Sequence, residues 1–241
     1  LAALAGTAVA ADYMPVTSAR LSNAANDNGW LMYRRDYSSN GYAPFNQINT
    51  ANVTHLKQVW DYKTGFDQGH EAPAIVNGDY LYITTPKNEL IAFQASTGKQ
   101  LWKYQQDLSQ VGLKTVCCDV VNRGVALYGD NVYMATLDNY VVALNAVTGK
   151  LAWKRQLIGS DVGYAMTLAP LALKGKVIVG VSGGEYGARG FIEALDARTG
   201  KEVWKQYTVP SPSEPGGDTW PKGAYKTGGG AAWLTGSYDA A

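Results

Sequence analysis

Short apolar runs separated by glycine-containing turns recur in pairs along the chain. AIVNGDYLYITT, ALYGDNVYMATL and ALKGKVIVGVSG each hold two runs rich in Val, Ile, Leu and Tyr around a turn, with turn glycines Gly78, Gly129 and Gly175. Such pairs read as β-hairpins. Downstream of each comes a further run, a Thr-Gly-Lys turn and a strand carrying tryptophan: AFQASTGKQLWKY from Ala92, ALNAVTGKLAWKR from Ala143 and ALDARTGKEVWKQ from Ala194. Trp102, Trp153 and Trp204 are therefore 51 residues apart twice (153 − 102 and 204 − 153). The turn glycines are separated by 51 and then 46, which puts the extra residues of the third unit after its hairpin, around GGEYGARG. Apolar residues show no helical spacing.

Four short strands in each unit of about 50 residues predict an all-β fold, a β-propeller with one blade per repeat. The repeated tryptophan is expected to pack between neighbouring blades, a large ring beside a tight Gly turn. Trp60 closes an earlier partial unit and a new strand is expected near Trp233, so the chain reads as about four blades. GSYDAA offers no returning strand to pair with the first blade, and a propeller covers its end blades by closing the ring. Residues 11–241 are therefore expected to be the N-terminal part of a single, longer propeller domain.

Composition narrows the classes. With 21 Lys+Arg against 20 Asp+Glu, the net charge of +1 offers no basic surface for nucleic acid or an anionic membrane. Glycine, 27 of 241 residues, and the 16 Tyr and 7 Trp fit a turn-rich β protein. The first ten residues, LAALAGTAVA, end in Ala8-Val9-Ala10 and resemble the end of a signal peptide, which predicts export. They are too few to span a bilayer, and no other segment reads as transmembrane.

Three clusters could carry chemistry. Cys117 and Cys118 are adjacent, which excludes a tetrahedral cysteine zinc site and leaves either a strained vicinal disulfide or two buried thiols. Arg123, six residues on, could anchor a carboxylate or be a solvated surface arginine. In SGGEYGARG, Gly183 and Gly184 let backbone approach a ligand, and Glu185 could ligate a hard cation; an exposed turn with a glutamate would look the same. Trp233 follows GGGAA outside the repeated tryptophan position, a stacking platform or a core residue. Glu71 and Thr167 each open the first strand of a blade just before Ala-Pro, where polar side chains from several blades converge on the channel. No H-E-x-x-H or P-loop pattern is present.

The tryptophan repeat, CCDVVNRG from Cys117, SGGEYGARG from Ser182 and GGGAAW from Gly228 together resemble the pyrroloquinoline quinone (PQQ) dependent alcohol dehydrogenases of the methanol/ethanol type. The resemblance implies an eight-bladed propeller, exported to the periplasm, that oxidises primary alcohols and passes electrons to a cytochrome c. It implies that Cys117 and Cys118 form a vicinal disulfide on one face of the quinone and that Trp233 stacks on the other. Arg123, Thr167 and Ser182 would bind PQQ carboxylates or carbonyls, Glu71 would bond its edge, Gly183 and Gly184 would line it, and Glu185 would ligate Ca²⁺ or a lanthanide. Ala231 departs from relatives with Thr there, removing one hydrogen bond to the cofactor. The family's catalytic aspartate and remaining ligands would lie beyond Ala241, so this stretch alone is expected to be inactive and no catalytic base is named within it. The competing class is a non-catalytic propeller with PQQ-like repeats acting as an assembly scaffold, which needs neither the Cys pair nor the G-G-E loop. A membrane sugar dehydrogenase is disfavoured by the Cys pair.

Overall fold

The computed structural model describes residues 13–67, 69–108, 116, 118–159 and 163–239. The leader at 1–10 and Cys117 lie outside the described residues. Among the described residues, twelve strands form three four-stranded antiparallel sheets, each with its strands in sequence order. The first is β1 (Ile75–Asn77), β2 (Tyr80–Thr84), β3 (Glu89–Gln94) and β4 (Gln100–Gln105). The second is β5 (Val125–Tyr128), β6 (Asn131–Ala135), β7 (Tyr140–Asn145) and β8 (Leu151–Gln156); the third is β9 (Leu171–Leu173), β10 (Lys176–Gly180), β11 (Phe191–Asp196) and β12 (Glu202–Tyr207). These are the three repeats read from the sequence, each folded as one propeller blade.

Blade faces follow the period of two. On β7, Val142 and Leu144 join the core shared with Tyr82, Leu90 and Ala92 of the first blade, while Val141 and Ala143 join Val177, Val179, Phe191 and Leu195 of the third. The middle strands are therefore buried on both sides, and the outermost strands alternate toward solvent. Flanking the sheets, the units that contain Trp60 and Trp233 hold no strand among the described residues; the strand expected near Trp233 does not form there, because this run bonds singly to other segments, the Thr235 hydroxyl donating to Ala169 O and the Tyr238 N–H to Tyr37 O, rather than along one ladder. The leading segment carries the short helix α1 (Ser18–Ser22) and pairs with blade edges at Trp30–Val76 and Val16–Gly129. It is anchored by Arg35, which is fully buried, donates to the carbonyls of Gly29 and Asp27, and lies against the rings of Trp30 and Phe45.

The repeated tryptophan joins each blade to the next. Each outermost strand has a bulge one residue before it: Ala92 pairs with Trp102 but Phe93 with Gln100, and the shift recurs at Ala143/Leu144 and Ala194/Leu195. A bulge re-aims the side chain that follows, here toward the neighbouring blade. The Nε1–H groups of Trp60, Trp102 and Trp153 donate to the carbonyls of Ala95, Ala146 and Ala197 at 2.9, 3.0 and 3.0 Å. The rings lie on Gly98, Gly149 and Gly200, the Thr-Gly-Lys glycines of the following unit, where a Cβ would come within 2.5 to 2.7 Å of an indole carbon. Glycine is required there both by this contact and by a positive φ of 68 to 71°. Tyr82 and Tyr133 donate to the same Ala146 and Ala197 carbonyls at 3.1 and 3.0 Å, so each carries two inter-blade hydrogen bonds, each worth about 1 kcal/mol.

Candidate functional site

The third blade departs from the other two in one loop. Between β2 and β3, and between β6 and β7, four residues make the turn (85–88 and 136–139); between β10 and β11 the connection runs over 181–190. The added residues are the Ser-Gly-Gly-Glu segment, with Gly184–Tyr186 forming a 3-10 turn that begins after Gly183 at φ 108°. This enlarged hairpin sits at one end of the blades, beside the segments that lead into β5 and β9. Backbone bonds fix it there: Ser182 N–H donates to Ala165 O at 2.8 Å, and the Ser182 hydroxyl donates to the same carbonyl at 2.9 Å.

Beside it lies a cavity of about 220 Å³ lined by Cys118, Val121, Arg123, Thr167, Ser182, Gly183, Glu185, Ala231 and Trp233. Seven of these residues were singled out from the sequence as site residues, and Ala231 as a departure at the same site. Val121, an apolar and buried wall, was not, because one Val among many carries no signal. Arg123 is the cationic group of this cavity and is nearly buried. Its backbone N–H donates to Thr167 O at 3.0 Å, tying the approach to β5 to the approach to β9. Its guanidinium pairs with the Glu71 carboxylate at 2.6 Å and lies 4.9 Å from the centre of the Trp233 ring, a cation–π distance.

Two expected members sit differently. Glu71 is exposed and outside the cavity lining, reaching the site through Arg123. Gly184 stands behind the lining, where its added Cβ would touch Gly229 Cα at 3.6 Å and Ala231 Cβ at 3.7 Å. Glu71 and Thr167 precede β1 and β9 by several residues rather than opening them, because the Pro73 and Pro170 segments between cannot donate a full ladder. Cys118 lines the cavity at φ 65°. Trp233 is 45% exposed, which agrees with a platform rather than a core residue. The described residues hold no cluster of three or more His, Cys, Asp or Glu side chains that would complete a metal site around Glu185.

Residues 30–241 match the family of PQQ-type glucose/ethanol/alcohol dehydrogenase β-propeller domains. The chain belongs to this family. The quinoprotein ADH IIB of Pseudomonas putida, a quinohemoprotein alcohol dehydrogenase, is 40% identical over 221 residues, covering 87% of this chain and 32% of that protein. The dehydrogenase subunit of the quinone alcohol dehydrogenase of Gluconobacter oxydans is 41% identical over 240 residues, covering 90% and 32%. Among solved structures, the quinohemoprotein alcohol dehydrogenase ADHIIG of Pseudomonas putida superposes with a TM-score of 0.89 at 36% identity, over 95% of this chain and 36% of that one. A europium-containing methanol dehydrogenase gives 0.87 at 35% identity, over 92% and 42%. The chain thus spans about a third of the length of the curated relatives it matches.

The donor set of this quinoprotein segment suits a flat, polycarboxylated quinone. Arg123 supplies a nearly buried positive charge for an acid, Trp233 a half-exposed aromatic face, and buried Thr167 and half-buried Ser182 are hydroxyl residues of the lining. Gly183 presents backbone without a side chain, and its added Cβ would collide with Gly163 O. Glu185 adds an anionic oxygen ligand of the kind a hard cation takes.

Proposed function

We propose that the protein is a periplasmic quinoprotein alcohol dehydrogenase that binds PQQ in the Arg123–Trp233 cavity and oxidises primary alcohols to aldehydes, with a cytochrome c as electron acceptor. The observation that carries this reading is the convergence of Cys118, Arg123, Thr167, Ser182, Glu185 and Trp233 on one cavity from four separate segments. The matched relatives, all named as alcohol dehydrogenases, support the reaction class, and the europium-containing relative supports a Ca²⁺ or lanthanide partner. No helix among the described residues is long and apolar enough to cross a membrane. The small-residue leader supports export.

When bound, PQQ would accept the hydride equivalent of the alcohol, its carbonyl polarised by the adjacent cation. The residues here prepare that site. Arg123 would meet a PQQ carboxylate, with Glu71 holding the guanidinium from behind at 2.6 Å. Trp233 would cover one ring face and exclude water from it. Cys117 and Cys118 would cover the other as a vicinal disulfide; that Cys118 is not a free thiol supports the pairing, since the chain has two cysteines. The Ser182 hydroxyl, now donating to Ala165 O, would turn its proton toward a carboxylate oxygen, and Thr167 would present its own beside it. Glu185 would hold the cation, since the described residues offer no cluster of three or more His, Cys, Asp or Glu side chains to hold it instead.

The test is reconstitution of the full-length protein with PQQ and either Ca²⁺ or a light lanthanide, followed by reduction of an artificial acceptor on adding a primary alcohol. Alcohol-dependent reduction is expected with at least one metal, and E185A should lose it with its unfolding midpoint unchanged. No quinone uptake and no activity with either metal would overturn the reading.

A further inference from the structure

Two of the walls of the cavity come from different parts of the chain. One is the enlarged hairpin at 181–190; the other is the Gly229–Trp233 run, reached only after an excursion over 209–227 that leaves the repeat pattern. The two walls meet backbone to backbone. Gly190 N–H donates to Gly229 O at 2.7 Å and Gly229 N–H to Ala188 O at 3.1 Å. A Cβ on Gly190 would collide with Gly230 O, and one on Gly180 with Ala232 O. Such contact holds only if the excursion delivers the second wall at the right height.

Arg189 is the side chain at this junction. Its Nε and Nη2 groups both donate to Val209 O, at 2.8 and 2.6 Å, and Nη2 pairs with Glu214 at 3.1 Å. The guanidinium lies 3.9 Å from the centre of the Tyr207 ring and 5.0 Å from that of Tyr225, between the end of β12 and the end of the excursion. Its backbone is fixed as well: Arg189 N–H donates to Tyr164 OH at 2.9 Å, and Tyr164 OH donates to Arg189 O at 3.1 Å. Glu214 is drawn in by its hydrogen bonds with Ser211 and then by Arg189, which hold its carboxyl below the usual range. In the first two blades the equivalent loop positions are Lys87 and Asp138: Lys87 meets the segment after its blade through its backbone, its N–H donating to Val120 O at 2.9 Å, and the Asp138 carboxylate accepts from Gln106 and the Thr136 hydroxyl.

We propose that Arg189 is a positioning residue for the cofactor cavity: by clamping both ends of the 209–227 excursion to the Glu185 hairpin, it sets the distance between the wall that carries Glu185 and the wall that carries Trp233. It touches neither ligand nor cation itself. The cofactor half of this proposal rests on the reading of the cavity as the PQQ site; the clamp is a property of the chain alone.

The experiment uses full-length protein as wild type, R189M, R189K and E214Q, with two readouts. The first is chymotryptic cleavage after Tyr225, which is followed by Lys226, in the cofactor-free protein. R189M should be cut about tenfold faster than wild type, and R189K and E214Q by intermediate factors, since a lysine keeps the charge but not the twin bonds to Val209 O. The second is PQQ affinity from quinone absorbance, which should fall about tenfold in R189M and be partly restored in R189K, with circular dichroism unchanged in all. Cleavage of R189M and R189K at the wild-type rate would overturn the clamp. Faster cleavage with PQQ affinity within twofold of wild type would overturn the role in setting the cavity. If wild type itself takes up no PQQ, the cavity reading fails, and this role in setting a cofactor cavity falls with it; the cleavage readout still decides the clamp. Should R189M not fold, R189K and E214Q decide the outcome by the same two readouts.

Discussion

If the tryptophan-to-turn contact joins the blades, a single methyl group at the Thr-Gly-Lys glycine should separate them more than the same methyl on another left-handed glycine. Gly149 and Gly129 belong to the same blade and have φ of 68 and 60°. An alanine at either position takes on the left-handed penalty of ~1–2 kcal/mol, and at either it removes similar freedom from the unfolded chain. These terms cancel in the comparison. At Gly129 a Cβ meets nothing within 4 Å, whereas at Gly149 it lies 2.7 Å from Trp102 Cδ2 and 2.9 Å from two further ring atoms. Backbone sits on one side of the ring and the packed blade on the other, so the indole must shift. Overpacking of this kind costs about 1–3 kcal/mol, and displacement of the Trp102 Nε1–H bond to Ala146 O adds about 1 kcal/mol. G149A should therefore be about 2–4 kcal/mol less stable than G129A in urea unfolding followed by far-UV circular dichroism. In a W102A background the two alanines should become equivalent. Equal destabilisation by both in the wild-type background would refute the reasoning.

The same inter-blade logic gives W153F a small effect, about 1–2 kcal/mol in the same unfolding assay, because Ala197 O keeps its bond from Tyr133 at 3.0 Å; W153F/Y133F should lose more than the sum, as the carbonyl is then left without either donor. Asp196 accepts from the Thr199 N–H and hydroxyl at 2.8 and 2.7 Å, and these bonds, the hydroxyl first, hold its carboxyl below 3.8. A lowered folded-state value means that the stabilisation is present above the ordinary range and is lost as pH falls through the lowered value. D196N, which copies Asn145 at the same place in the second blade, should leave the midpoint at pH 7 unchanged and flatten the acid limb below pH 3.8.

Much of the fold was legible because a blade is short and repeats. The hairpin glycines, the Thr-Gly-Lys turn and the tryptophan each recur in step, so three sheets could be marked by eye, and the 46-residue gap located the enlarged loop. The direction of tryptophan docking was not legible: it depends on a bulge at Leu101, Ala152 and Val203, and an aliphatic residue in a strand carries no mark of a bulge. At the site, motifs named the lining because each carries unusual chemistry in a few consecutive residues. The Arg123–Glu71 pair was not expected, since 52 residues separate its members (123 − 71) and only the docking of one blade on the next brings them together. Arg189 was hidden for the same reason, its partners lying in an excursion without repeat or motif. Arg35 was hidden because arginine is a surface residue by default, and its burial among carbonyls and rings is visible only in three dimensions.

A PQQ site beside Arg123 whose cation is held by Glu185 is defined by one distance, from the Glu185 carboxylate to the cation. Diffraction from full-length protein loaded with PQQ and a lanthanide tests it directly, because the anomalous signal marks the cation without reference to any assigned role. The strongest peak is expected at roughly 2.3–2.6 Å from a Glu185 carboxylate oxygen, with the quinone between Trp233 and Cys118 and a carboxylate on Arg123. A peak remote from Glu185, or a quinone bound outside this cavity, would contradict it.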